Sequence, residues 1–408
     1  MEQPSMLSRW EGVSHRCVRG SNLVSILLAI LVLVPLLGCG RSGVSAETAV
    51  GTIKPTVTLR WADIQNVRSA AEIGDQETMT VAFLDGSHLV IGGLFQSSAD
   101  PNAGRDFRET IRRIAVVAVV NAKTGQVEAS KTWGPMAGQP AFADKMNLLP
   151  TATGDCLVGI GNKLYLMSAG LKQLAERDLP LNKVERNGYP YQDMWFIKVA
   201  PARKTALLIR TTPDYNAENH WLDLRTLKDH DVSPAPKYSS VALADDESIF
   251  FNDNGTDVDN VQILPRGTSR RALCPTCVGA VTSSFGKDLV LLSTKPAASY
   301  LVADTAGKVL LASTHGKNPE FVGPLVGAAS VNRVAFQYGH LAGARAVTHF
   351  TVLDADAKKE VWDYELSLEP RKLGNMGLQF TTPRVALSPD GHKLAIMTSD
   401  TLEVFDIP

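Results

Sequence analysis

The sequence predicts an all-β fold of small repeated sheets set in a ring, a β-propeller of seven blades, and three observations predict it. The clearest is the stretch Thr382 to Ile407, in which the apolar runs Val385 to Leu387, Leu394 to Met397 and Leu402 to Phe405 are separated by Ser388-Pro389-Asp390-Gly391 and Ser399-Asp400. Glycine supplies positive φ and proline presets the first turn angle, so runs punctuated this way are antiparallel strands joined by tight turns. The second observation is that the pattern recurs in degenerate form along the chain, which is how a radially repeated fold looks in sequence. The third is a lone apolar strand, Thr56 to Trp61, while the last sheet shows one strand too few.

In chain order, the first copy has strands at Thr80 to Phe83, Leu89 to Ile91 and Ile114 to Val120, with turns at Asp85-Gly86 and Asn121 to Gly125. The second carries Leu148, Leu157 to Ile160 and Leu164 to Met167 around Thr153-Gly154-Asp155, and the third carries Phe196 to Val199, Ala206 to Ile209 and Trp221 to Leu224. The fourth runs from Val241 through Ile249 to Leu264, the fifth from Val278 through Leu289 to Gly307, and the sixth from Phe321 through Val334 and His349 to Tyr364. The C-terminal stretch is the seventh. Pairing Thr56 to Trp61 with it closes the ring by hydrogen bonds and leaves no open edge. Binding is expected on the longer connections, Gln96 to Thr110, Pro180 to Gln192 and Thr212 to Asn219, because loops on a rigid scaffold carry function. Ser388 to Gly391, Lys393-Leu394-Ala395 and Leu402 to Asp406 resemble the repeat of YVTN and TolB-type WD40-like propellers. That fold serves many unrelated functions.

Ahead of the ring, Arg9, Arg16 and Arg19 precede an uncharged apolar run from Leu23 to Leu37 that ends in Leu36-Leu37-Gly38-Cys39. A basic segment, an apolar segment and a small residue make an export signal. The fifteen residues of the run fall short of the ~20 a spanning helix needs. Leu-Leu-Gly-Cys resembles the bacterial lipobox. The resemblance implies a signal peptide over 1–38 and lipid on Cys39, which leaves a tether over 39–55 ahead of the propeller domain that the repeats place over 56–408. Gly40 in place of Asp favours the outer membrane in a host that has two.

Lys and Arg number 41 against 42 Asp and Glu, a formal net charge of −1. No basic footprint for nucleic acid follows from that balance. Beyond Cys39 the chain has Cys156, Cys274 and Cys277, and Cys274-Pro275-Thr276-Cys277 reads either as a redox pair or as a short disulfide pinning a loop between the fourth and fifth blades. No long helix is at hand to activate the first thiol, Val278 replaces the His of a haem site, and a second CxxC for zinc is missing. A structural disulfide is therefore expected. Asn252 to Asn260 crowds oxygen ligands without the EF-hand order, so a polar turn is expected there. The histidines, among them His88, His220, His340 and His349, form no metal spacing, and the serines no GxSxG elbow. Asn121 to Gly125 with Trp133 resembles a quinoprotein blade in one degenerate copy, too little to imply a quinone.

With no catalytic, metal or cofactor residues expected, the reading is a lipoprotein of the bacterial envelope, extracytoplasmic and anchored to a membrane through Cys39. Its loops would contact an envelope protein or glycan, and the lipid would keep that loop face near the membrane. The alternative is a propeller enzyme, a hydrolase or quinoprotein-like dehydrogenase, with its site in the central channel. A thiol-active envelope protein using Cys274 and Cys277 is the third reading.

Overall fold

The structure, a computed structural model, describes residues 53–72, 75–97, 111–137, 142, 146–186, 189–214, 216–253, 260–286, 289–294, 299–314, 321–322, 325–342, 345–368, 371–372, 378–379 and 383–408. The signal, Cys39 and most of the tether lie outside the described residues.

The chain forms seven antiparallel sheets that follow one another as the blades of a propeller. Blade 1 is Asp75–Phe83, His88–Gln96, Arg112–Asn121 and Val127–Ala137, and blade 2 is Met146–Pro150, Cys156–Ile160, Lys163–Met167 and Gln173–Asp178. Blade 3 is Met194–Val199, Ala206–Thr211, Ala217–Leu222 and Asp229–Ala235; blade 4 is Tyr238–Leu243, Ile249–Asp253, Val261–Leu264 and Arg271–Ala272. Blade 5 is Ala280–Phe285, Leu289–Thr294, Ser299–Ala303 and Val309–Thr314; blade 6 is a first strand split into Phe321–Val322 and Val326–Gly327, then Arg333–Ala342, Arg345–Asp354 and Lys359–Leu368. Blade 7 is Arg384–Leu387, Lys393–Met397 and Thr401–Asp406, completed on its outer side by Val57–Arg60. Val57 lies opposite Val404 and Arg60 opposite Thr401, so the two ends of the ring are joined as the sequence predicts.

Each apolar run packs on both faces of its sheet. Seven buried clusters result, one between each pair of neighbouring blades. Leu89 and Ile91 meet Met397 and Leu402 where blade 1 meets blade 7, Val117 meets Val158 between blades 1 and 2, and Leu164 meets Leu208 between blades 2 and 3. Leu207 and Phe251 join blades 3 and 4, Phe250 and Val290 blades 4 and 5, Val302 and Phe336 blades 5 and 6, and Phe350 and Phe405 blades 6 and 7. At about 25 cal/mol per Å² of apolar surface buried, these interfaces are the main favourable term in folding.

Strand polarity divides the connections between two faces of the ring. Turns from first to second strand, and from third to fourth, share one face, and all of those described there are short. Their carboxylates cap them: Asp85 Oδ1 accepts from the Ser87 and His88 amides at 2.6 and 2.9 Å, and Asp390 Oδ1 accepts from the His392 amide at 3.1 Å. Neighbouring turns also bond to each other, as in Ala152 N to Arg203 O at 2.8 Å, Gly286 N to Ala328 O at 2.9 Å and Ser330 N to Pro389 O at 2.8 Å. Gly286 is required in that seam. Its φ is +56°, and a Cβ there would stand 2.2 Å from Asn332 Oδ1 and 3.0 Å from Val331 O.

The opposite face gathers the second-to-third connections and the crossings between blades, and all three of the expected long connections belong to it. The Pro180 to Gln192 stretch is not a plain loop but holds the hairpin Lys183–Arg186 and Tyr189–Gln192. The Thr212 to Asn219 loop is shorter than expected, because Ala217–Leu222 is a strand and Asn219 is buried within it. Of the first connection, Gln96 ends a strand and 98–110 lie outside the described residues. This face also carries the short helix Gln65–Ala71, which buries Val67 and Ala70 against blade 1.

Val57–Arg60 runs toward this loop face, since Trp61 N donates to Asp400 O at 2.9 Å there and Thr56 N to Val404 O at the other end. The chain therefore enters the ring at the tight-turn face.

Candidate functional site

The loop face is most distinctive at the hairpin between blades 2 and 3. Its sequence, KVER then Asn187-Gly188 then YPYQ, carries the dipeptide that two-residue hairpins favour. Val184 pairs with Tyr191 in the hairpin register, so both side chains stand on one surface of the ribbon. They are 41% and 40% exposed, and Met194 at the root of the hairpin is 44% exposed. The cross-strand pair Val184 and Tyr191, held side by side in solvent, marks an interaction site more often than a lone apolar side chain does.

A charged network fixes the root. Asp193, fully buried, accepts from Arg210 Nε and Nη2 at 3.1 and 2.9 Å and from the Asn182 amide at 3.0 Å, all on Oδ2. Its own amide donates back to Asn182 O at 3.1 Å. Arg210 Nη1 reaches Glu218 at 3.1 Å, and its guanidinium lies 5.8 Å from the centre of the Trp195 ring, whose Nε1 donates to Pro180 O at 3.0 Å. Both strands of the connection are thereby tied to blade 3. The first two strands of blade 3 put Trp195 and Arg210 opposite each other, and the next pairing puts Arg210 opposite Glu218, so these side chains share the surface facing blade 2.

The network continues outward. His220 Nδ1 lies 3.0 Å from Asp229 Oδ2, and Arg177, on the outer strand of blade 2, donates to both Asp229 oxygens at 2.5 and 2.9 Å. Burial alone would raise the Asp229 carboxyl, yet the hydrogen bonds from Arg177 and His220 outweigh it and hold the group below its ordinary range. His220 Nε2 has no hydrogen-bond partner among the described residues and sits 3.5 Å from Glu218 Oε2. The arrangement is an electrostatic clamp. It binds blade 2 to blade 3 and holds the hairpin upright.

The other expected residues are scattered. Cys39 lies outside the described residues. Cys274 and Cys277 are disulfide-bonded, and their loop substitutes for most of the outer strand of blade 4, with Leu273 N donating to Val261 O at 2.9 Å and Val261 N to Cys277 O at 3.2 Å. Cys156 is buried, and burial pushes its thiol up to about 12. Asn252 gives its side chain to the protein: Oδ1 accepts from the Val281 amide and Nδ2 donates to Gly279 O, both at 2.8 Å. Asp253 pairs with Arg270, while residues 254–259 lie outside the described residues. His88 is held by Asp85 and Glu128, and His340 and His349 stack 6.5 Å apart. Among the described residues no three His, Cys, Asp or Glu gather as a metal site. Trp195, Trp221 and Trp362 all pack between blades.

No protein-family model and no curated protein matches the sequence. Solved structures similar to this chain include a chain of the mitotic checkpoint complex, 13% identical, covering 94% of this chain and 99% of its own at a TM-score of 0.48. The Dos1 propeller is 11% identical over 87% of this chain and 95% of its own, at a TM-score of 0.40. An uncharacterised protein of Listeria monocytogenes is 10% identical over 79% and 89%, at a TM-score of 0.43. The fold and the blade count rest on the strand order itself.

Proposed function

We propose that the protein is a membrane-anchored lipoprotein of a bacterial envelope, with Cys39 carrying the lipid, and that its propeller is a binding module whose contact is the hairpin Lys183–Gln192. The observation that carries the binding reading is the exposed pair Val184 and Tyr191, set side by side in the hairpin register above a buried ionic root. A clamp of that kind pre-organises the hairpin, which lowers the ordering cost of association. An apolar, aromatic patch of this sort matches the anchors of protein interfaces, which favours an envelope protein over a glycan. The lipid contributes about 0.8 kcal/mol per buried CH₂, and two or three chains hold the protein on a membrane where one does not.

The test is native mass spectrometry of protein gently extracted from its host's membranes, run beside the double variant Val184→Asp, Tyr191→Asp. A lipid mass on Cys39 and a stoichiometric protein that the variant loses are the expected results. An unmodified N-terminal peptide would defeat the anchor, and a partner retained by the variant would defeat the hairpin.

A further inference from the structure

We infer that the tight-turn face bears a contact site for anionic phospholipid headgroups, in the groove between blades 2 and 3; this rests on the reading that Cys39 is the anchor. The groove encloses about 390 Å³, with Leu174 and Leu224 on its walls and Lys204 and Arg225 beside them. Every one of these residues lies at the tight-turn end of its blade. Leu174 is half exposed, and the exposed Lys172 stands two residues before it.

Arg203, which also lines the groove, is not free to serve as a headgroup ligand, because Nη1 donates to Leu84 O at 2.7 Å. Asp155 is the acid on the lining, and its Oδ2 accepts from Thr153 Oγ1 at 2.6 Å. The exposed Asp223 stands beside Arg225, so the exposed cations Lys172, Lys204 and Arg225 face the two acids Asp155 and Asp223 and outnumber them at this spot. A headgroup phosphate held by Lys204 and Arg225 would lay its glycerol and first methylenes against Leu174 and Leu224. Basic side chains beside apolar ones are what an anionic lipid surface attracts.

The occupant follows from where the chain joins the ring. Val57–Arg60 starts at the tight-turn face, so that face is the one at which a tether from Cys39 would enter the ring. The tether over 39–55 is too long to set the orientation by itself, and a second contact on the ring would do so.

The experiment uses the lipidated full chain in vesicles of phosphatidylcholine with and without phosphatidylglycerol. A fluorophore is placed at Leu174→Cys or, on the opposite face, at Tyr191→Cys, and quenching by lipids carrying a quencher near the headgroup is read. The label at 174 should be quenched in the anionic vesicles, lose most of that quenching in neutral ones, and lose it equally in Lys204→Ser, Arg225→Ser; the label at 191 should stay unquenched throughout. Quenching at 191 instead, absence of quenching at 174 on a chain whose intact mass shows the lipid, or indifference to loss of the two cations overturns the groove. A chain whose intact mass lacks the lipid and which stays off both vesicles overturns the anchor as well.

Discussion

Removing the guanidinium from the hairpin root is the sharpest perturbation of the proposed contact. In Arg210→Met the fully buried Asp193 loses both charge-assisted bonds at Oδ2 and keeps only the Asn182 amide, while Oδ1 already has no partner. Breaking a buried pair by deleting one member costs ~3–5 kcal/mol because the other charge is left uncompensated. Arg210 retains 17% side-chain exposure, and one amide still serves the carboxylate, so the lower end, about 3 kcal/mol, is expected. The double variant Asp193→Asn, Arg210→Met should cost less than the two single changes added together, by about 2 kcal/mol, since neutralising the carboxylate removes the orphaned charge. Denaturant unfolding of all four proteins supplies the cycle, and hydrogen exchange at the Asn182 amide reports the root directly. A single variant within about 1 kcal/mol of the parent, or strict additivity in the cycle, would refute the view that this ion pair holds the hairpin.

Further outcomes follow from other parts of the ring. Gly286→Ala should lower the thermal midpoint by the equivalent of at least ~1–2 kcal/mol, the cost of a left-handed non-glycine residue, with the clash against the Val331 carbonyl added; an unchanged midpoint would mean the turns are not locked together. Cys274→Ser, Cys277→Ser opens a four-residue ring, worth about 2 kcal/mol by the chain-entropy relation, and partner capture should survive that loss. Capture abolished at unchanged folding would favour the thiol-active reading. The Asp229 carboxyl lies below its ordinary value in the fold. Its stabilising share is present above the unfolded value of about 3.9 and is lost as pH falls through the lower folded value. Acid melts should therefore steepen below about pH 4, and Asp229→Asn should flatten that slope; an identical slope in the variant would contradict it.

What the sequence made legible was what the ring buries. Several second and third strands are packed on both faces, so they appear as unbroken apolar runs such as Cys156–Ile160, buried throughout. Outer strands were harder to see. Gln173–Asp178 and Asp229–Ala235 are largely exposed, and a strand with one solvated side and many charges carries little periodic signal. The hairpin was hidden inside a stretch read as loop, although Asn187-Gly188 was the signal that could have revealed it. Glu218 and His220 are two apart and so share a strand face, yet nothing in the linear chain announced Arg210 and Asp229 as their partners, or tied Asp193 to Arg210 and Arg177 to Asp229. The longest of these contacts, Arg177 to Asp229, joins two blades and spans 52 residues. The direction of the tether was a matter of strand polarity, which becomes visible only once the lone strand is paired.

The most direct test of the account places a photo-activated cross-linking amino acid at Tyr191, and separately at Lys123 on the tight-turn face, in cells of the native host. A single discrete protein adduct from position 191, with lipid alone captured from position 123, is the result the account predicts. A protein adduct from position 123 with none from position 191 would contradict it, because the binding surface would then lie on the face where the tether joins the ring.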